Sequence, residues 1–299
     1  MARRSARLSA GSRRAHLAPM RGEFVDVRGV RLYYYAAGTR GAGEPIVLVH
    51  GFPGSSHLWH RVVPLLPAGH RAVVLDLLGA GRSDPANSPA DLTAVAHVER
   101  LHAFFDELGI AAACVVGHGA GGAVAQALAL TAPARVSRLV LVSSVAFDGR
   151  PAFRLATWLS GAPGTGALGA APLAFLVRAA ALDGYRGRTD GRRSLHLYLR
   201  PFTGRGRVAS LAAQLRALND SSVPACAARL GELRCPTAIV WGARDPILPV
   251  ALAERLRAAI QGASLHVIAD GRHYVPEEEP EEVARAVRAV LARKSDGRE

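Results

Sequence analysis

Residues 112–122 read Ala-Ala-Cys-Val-Val-Gly-His-Gly-Ala-Gly-Gly. An apolar run ends at Val116, glycine crowds the positions that follow, and an alanine-rich stretch comes next. That order fits a buried strand, a tight turn and a helix beginning near Ala123. A turn of this kind lifts one side chain clear of the sheet edge, where a hydroxyl, thiol or carboxylate could attack a substrate. The residue at its apex is Gly119, so the place for a nucleophile carries no side chain. Four other segments put polar residues directly after apolar runs: His50-Gly51-Phe52-Pro53-Gly54, Asp76-Leu77-Leu78-Gly79-Ala80-Gly81-Arg82-Ser83-Asp84, Trp241-Gly242-Ala243-Arg244-Asp245-Pro246 and Gly271-Arg272-His273-Tyr274-Val275-Pro276. They supply histidines and carboxylates, the residue types that move protons.

Such segments need a scaffold, and the apolar pattern predicts one. Residues 23–29 and 30–38 alternate and are rich in Val and Tyr, which predicts a β-hairpin at a sheet edge. Continuous apolar runs at 45–50, 72–77, 112–116, 138–142, 238–241 and 265–268 predict parallel strands covered on both faces. Helical stretches are expected near 58–66, 92–108, 123–132, 251–260 and 281–292. Strands alternating with helices predict an α/β fold: a mainly parallel sheet flanked by helices. From about 147 to 236 the rhythm breaks into helical pieces and a Gly/Pro-rich stretch without a clear core strand. This interval reads as an insertion after the sixth strand, a helical lid over the edge of the sheet where ligands bind in such folds. The expected organisation is a disordered basic tail over 1–21, a core from 22–146 and 237–299, and a lid over 147–236.

Composition narrows the function classes. A chain of 299 residues with 49% apolar content can bury one sizeable core. The net charge of +13 is concentrated in part at the start, where residues 1–21 hold six arginines and no acid. Lys294 is the only lysine, so the basic excess is almost wholly arginine, a pattern of coding bias more than of phosphate recognition. No recognition helix or aromatic stacking platform is visible, which argues against a nucleic-acid partner. The start lacks the apolar stretch of a secretory signal, and Met20 is an alternative start. No apolar run reaches the roughly 18 residues of a membrane span. Cys114, Cys226 and Cys235 show no disulfide or metal spacing, which fits a reducing cytoplasmic setting. No phosphate loop, dinucleotide fingerprint or metal-ligand cluster is visible, so no cofactor is expected. Oligomeric state is not legible.

Taken in order, the five segments resemble those of the α/β-hydrolase family. Over residues 23–293 the chain is similar to its lidded branch of haloalkane dehalogenases, epoxide hydrolases, hydroxynitrile lyases and carbon-carbon bond hydrolases. The resemblance implies an eight-stranded α/β-hydrolase fold, with Gly119 where family members carry Ser or Asp. It implies Asp245 as the acid and His273 as the base of a triad, with Asp148 as a reserve acid. A carboxylate that accepts from one ring nitrogen orients the imidazole and leaves the other nitrogen free to take a proton. The family's oxyanion hole maps to the backbone amides of Phe52 and Ala120. His50 and His118 read as loop braces, and Ser143 and Ser144 as the nearest alternative hydroxyls. The expected partner is a small apolar or aromatic substrate, with Trp158 and Tyr185 of the lid as candidate contacts that could equally pack lid helices.

Three readings follow. The first is an enzyme that uses His273 and Asp245 as a general base, without a covalent step, for direct-water hydrolysis or lyase, isomerase or cyclase chemistry. The second is an inactive ligand-binding relative. The third is a hydrolase disabled by substitution at Gly119.

Overall fold

The computed structural model describes residues 22–39, 41, 43–86, 88–147, 154–162, 171–203, 208–219 and 222–293. The basic tail and Asp148 lie outside them. Eight strands form one sheet in the order β1-β2-β4-β3-β5-β6-β7-β8. The hairpin β1 (Glu23–Val27) and β2 (Val30–Ala37) lies at one edge, and β2 runs antiparallel to β4 (Ala72–Leu75). From β4 onward every pairing is parallel, through β3 (Ile46–Val49), β5 (Ala113–His118), β6 (Val136–Val142), β7 (Thr237–Gly242) and β8 (Ser264–Ile268). The central strands β3, β4, β5 and β7 are buried along their whole length, as continuous apolar runs require. β8, at the other edge, is mostly exposed or half-buried.

Helices α1 (Ala94–Glu107) and α2 (Ala120–Thr131) pack together, with α2 against β5 and β6. The C-terminal helix, Pro280–Leu291, packs on β6 and β7. Between β6 and β7 the described residues hold five α-helices, two 3-10 turns and no strand: α3 (Arg154–Ser160), α4 (Ala171–Leu182), α5 (Arg188–Leu199), α6 (Val208–Ala217) and α7 (Ser222–Ala227), with the turns Arg200–Phe202 and Leu230–Glu232. Among the described residues no helix is long and apolar enough to cross a membrane.

Three expectations shift, the first being that β8, expected to be covered on both faces, is mostly exposed or half-buried. The single helix expected near 58–66 is two 3-10 turns, Ser56–Trp59 and Val63–Leu65. Pro64 has no amide proton to continue an α-helix, and Pro67 disfavours helical geometry at Leu66, which is extended. The helix expected near Ala123 starts at Ala120 instead. Glycine is a poor helix former, but tertiary packing decides here: a Cβ at Gly121 would stand 2.3 Å from the His50 carbonyl oxygen and 2.5 Å from that of Val49. The first turn of α2 therefore lies directly against the end of β3.

Replacing Gly121 with Ala should force these backbones apart. The expected loss is about 1–3 kcal/mol of unfolding free energy, read as a lower urea midpoint at an unchanged m-value.

Candidate active site

The parallel strands end along one edge, and the loops that follow them converge there. Gly119 follows β5 with φ +54° and ψ −123°, the left-handed region that glycine enters without the strain a side chain adds. Its amide donates to Val142 O and its carbonyl accepts from Gly122 and Val145, so the turn is pinned from both sides. A Cβ built on Gly119 would lie 3.8 Å from His273 Nε2 and 3.6 Å from the Gly51 Cα, with nothing nearer. The turn has room for a side chain, and that room faces the histidine.

His273 and Asp245 meet across 28 residues of sequence. Nδ1 of His273 donates to Asp245 Oδ2 at 2.8 Å, and both side chains are almost completely buried. The other carboxylate oxygen, Oδ1, accepts from the amides of Ile247 at 2.8 Å and Leu248 at 2.9 Å. Asp245 therefore closes its own loop with one oxygen and orients the imidazole with the other. The Trp241 indole donates to Leu248 O at 2.9 Å, tying the same loop to the end of β7. With Nδ1 as donor, Nε2 of His273 carries the lone pair, directed toward Gly119.

His50 and His118 hold backbone in place. Leu77 N donates to His50 Nε2 at 3.0 Å, which puts the ring proton on Nδ1, where it donates to Gly51 O at 2.8 Å. His118 Nε2 donates to the backbone oxygen of His273 at 3.1 Å. Burial pushes both imidazoles toward the neutral form: His118 lies well below its usual range, also because His273 stands beside it, and for His50 nearby Asp76 offsets part of the effect. Ser144 Oγ donates to Val145 O and accepts from Gln126, while Ser143 is fully buried at φ +40°, and neither lines the cavity beside Gly119.

Phe52, Gly119, Ala120, Val145, Leu218, Ile247, Leu248 and His273 enclose a cavity of about 20 Å³. That is room for one water. Ala120 opens α2, so its amide is one of the donors that a helix leaves unpaired by its own turns. Phe52, Ala120 and Leu218 also border a second cavity of about 60 Å³. Its walls are mostly apolar, built by residues such as Leu77, Leu92, Phe202 and Val223, with His50, His97 and Gln214 as polar members. Among the described residues it has no arginine or lysine.

The two lid aromatics expected to contact substrate are placed elsewhere. Trp158 is 71% exposed on α3, and Tyr185 is buried, stacked on Tyr274 with its hydroxyl on Glu277. Neither lines the two cavities. A surface helix has an inner and an outer face, and Trp158 lies on the outer face of α3. Beside residues of the segments 50–54, 76–84 and 112–122, the larger cavity is lined by His97, Gln214, Phe202, Leu218 and Val223, which carry no sequence motif. Their one signal is proximity in space.

Comparison with known proteins places this geometry. Residues 44–280 match the model of the alpha/beta hydrolase fold family. The chain is 33% identical over 281 residues to a 2-hydroxy-6-oxononadienedioate/2-hydroxy-6-oxononatrienedioate hydrolase of Paraburkholderia xenovorans, covering 88% of this chain and 91% of that one. It is 28% identical to a cis-3-alkyl-4-alkyloxetan-2-one decarboxylase of Shewanella oneidensis, over 92% of this chain and 89% of the other. A hydrolase from Pseudomonas aeruginosa superposes with a TM-score of 0.74 at 24% identity, over 92% of this chain and all of that one.

The buried neutral histidines make stability depend on pH. Their native pKa values lie below the unfolded one, so the unfolded chain binds more protons in acid. Stability is complete above about pH 6.5 and falls below it, by up to about 1.4 kcal/mol per pH unit for each such histidine. In His118→Gln the fall in urea midpoint between pH 7.5 and 5.5 is expected to be shallower by one histidine's share.

Proposed function

The chain belongs to the α/β-hydrolase family, and from that premise we propose that it is a hydrolase without a covalent step, acting on a small, uncharged, mostly apolar molecule. One observation carries this reading. The space that a nucleophile would fill is open, and the lone-pair nitrogen of a histidine already oriented by Asp245 faces it at 3.8 Å from the absent Cβ. A water in the cavity of about 20 Å³ takes the nucleophile's place. His273 Nε2 removes a proton from that water as its oxygen bonds to the electrophilic carbon of the substrate. Charge moves to the substrate oxygen, held by the amides of Phe52 and Ala120. The proton then passes from Nε2 to the leaving group. Backbone donors of this kind are worth roughly 10²–10³-fold each, and they do not depend on the side chain at 119.

The substrate class follows from the walls. A cavity without arginine or lysine among the described residues gives a carboxylate no counter-ion, and burying an unpaired charge is costly. A dianion of the kind named for the Paraburkholderia relative is therefore a poor substrate here, and neutral esters, lactones or epoxides are the better class. The helices between β6 and β7 act as the lid, with Phe202, Gln214, Leu218 and Val223 forming the cavity's outer wall. The oxetanone decarboxylase relative favours a second reading, in which His273 takes its proton from the substrate and no water is consumed.

A panel of neutral p-nitrophenyl esters, lactones and epoxides tests the proposal. Turnover by the native chain is expected without a burst, and His273→Ala should lower it by about 10²–10⁴-fold. Turnover unchanged in His273→Ala, or none on any of these compounds, overturns the hydrolase reading. Gly119→Ser should fold, at a cost of about 1–3 kcal/mol for the positive φ, and release p-nitrophenol in a burst as an acyl-enzyme accumulates. Hydrolysis in H₂¹⁸O separates the two readings, since label enters the product only where water attacks.

A further inference from the structure

On the far side of the His273 loop lies a second polar cluster that takes no part in the proposed chemistry. His57 and His60 stand three residues apart at the Ser56–Trp59 turn, a spacing that puts both side chains on one face of a 3-10 helix. Their rings stack, with centroids 4.2 Å apart and planes 8° from parallel. Both are half-buried. Nδ1 of His60 donates to His57 O at 2.8 Å, which fixes the tautomer and leaves the Nε2 lone pair unused by that bond.

Facing them is Glu277, on the short helix Val275–Glu278 and only 4% exposed. Its Oε1 accepts from the hydroxyls of Tyr185 at 2.7 Å and Tyr198 at 2.5 Å, and its Oε2 accepts from Ser194. A carboxylate has about four acceptor positions, so one on Oε2 is left. Among the described residues no hydrogen-bonded ion pair reaches this carboxylate: Arg61 donates to the backbone oxygen of Glu277 at 2.8 Å, its guanidinium lies 3.7 Å from Asp190, and it favours the charged carboxylate only through space. One ligand atom each from His57, His60 and Glu277 falls within 4.8 Å of the other two. Buried carboxylates are normally paired with a cation or bound to a metal.

We propose that His57, His60 and Glu277 form a structural site for one divalent transition-metal ion of zinc type. Two imidazoles and a carboxylate oxygen suit Zn²⁺, Co²⁺ or Ni²⁺ and disfavour Mg²⁺ or Ca²⁺, which need more oxygen ligands. Bonds of about 2.0–2.1 Å place tetrahedral ligand atoms roughly 3.3 Å apart, so the side chains close in by rotamer adjustment, and a water completes the four. The hydroxyls of Tyr185, Ser194 and Tyr198 become the outer partners that orient the ligating carboxylate. All three come from the segment between β6 and β7, Ser194 and Tyr198 from α5 and Tyr185 from the loop before it, whereas the three ligands lie outside that segment. The ion thus ties that segment to the core beside the loop of His273, without touching the reacting atoms.

The test uses the full chain stripped with a chelator and Zn²⁺ alone as the probe. Calorimetry should show one saturable Zn²⁺ per chain, and melting temperature should rise with added Zn²⁺. His57→Ala and His60→Ala should each weaken binding at least tenfold, the double variant at least a hundredfold, and His102→Ala, outside the cluster, not at all. Glu277→Gln should weaken it similarly; if that variant does not fold, the two half-buried histidines decide the matter. Co²⁺ should give the intense visible bands of tetrahedral coordination in the native chain and lose them in the double variant. The proposal is overturned if the double variant binds Zn²⁺ as tightly as the native chain. It is equally overturned if the native chain has no saturable site below about 100 µM.

Discussion

The backbone between β5 and α2 has to turn sharply while the ends of β3 and β6 press on it from two sides. A Cβ on Gly121 would collide with two carbonyl oxygens at the end of β3, and the Gly119 carbonyl is held by amides of its own turn and of Val145. These contacts leave the turn almost no freedom, so Gly119 comes to rest at one place, under Nε2 of His273. The first amide of α2 is fixed by the same packing. Both the open space and the donor beside it are consequences of how closely the backbones approach.

The base is held with similar economy. Asp245 shapes its loop with one oxygen and sets the imidazole with the other, and His118 takes up the backbone oxygen of His273. None of these bonds involves position 119. The histidine's orientation therefore does not depend on a side chain at 119. Glycine at 119 avoids the strain that a side chain would bring at positive φ, and the open space beside it faces Nε2 of His273.

The helices between β6 and β7 are tied to that same histidine. Gly184 O accepts from the amides of both His273 and Tyr274, Tyr185 stacks on Tyr274 at 4.0 Å, and three hydroxyls from this segment converge on Glu277. Any movement of the segment is felt at the loop that carries His273. This coupling runs between residues some 80 to 90 positions apart, and it was invisible in the one-dimensional pattern. Of the two roles open to Tyr185 in the sequence, substrate contact or packing between helices, the structure shows packing, against Tyr274 and Glu277.

From the sequence alone, the strands, their parallel order and the interval without strands were legible, because burial on both faces demands uninterrupted apolar runs. Gly119, Asp245 and His273 were singled out by the resemblance to the α/β-hydrolase family, and the structure brings the three together at one edge of the sheet. The limits were local and physical. Proline at 64 and 67 broke one expected helix into two turns, and close packing drew Gly121 into a helix that its own propensity disfavours. Which face of a lid helix turns inward, which side chains wall the cavity, and whether His57, His60 and Glu277 meet were decided by tertiary structure. Those outcomes depend on contacts between distant segments, and no residue type or spacing along the chain encodes a distance across it.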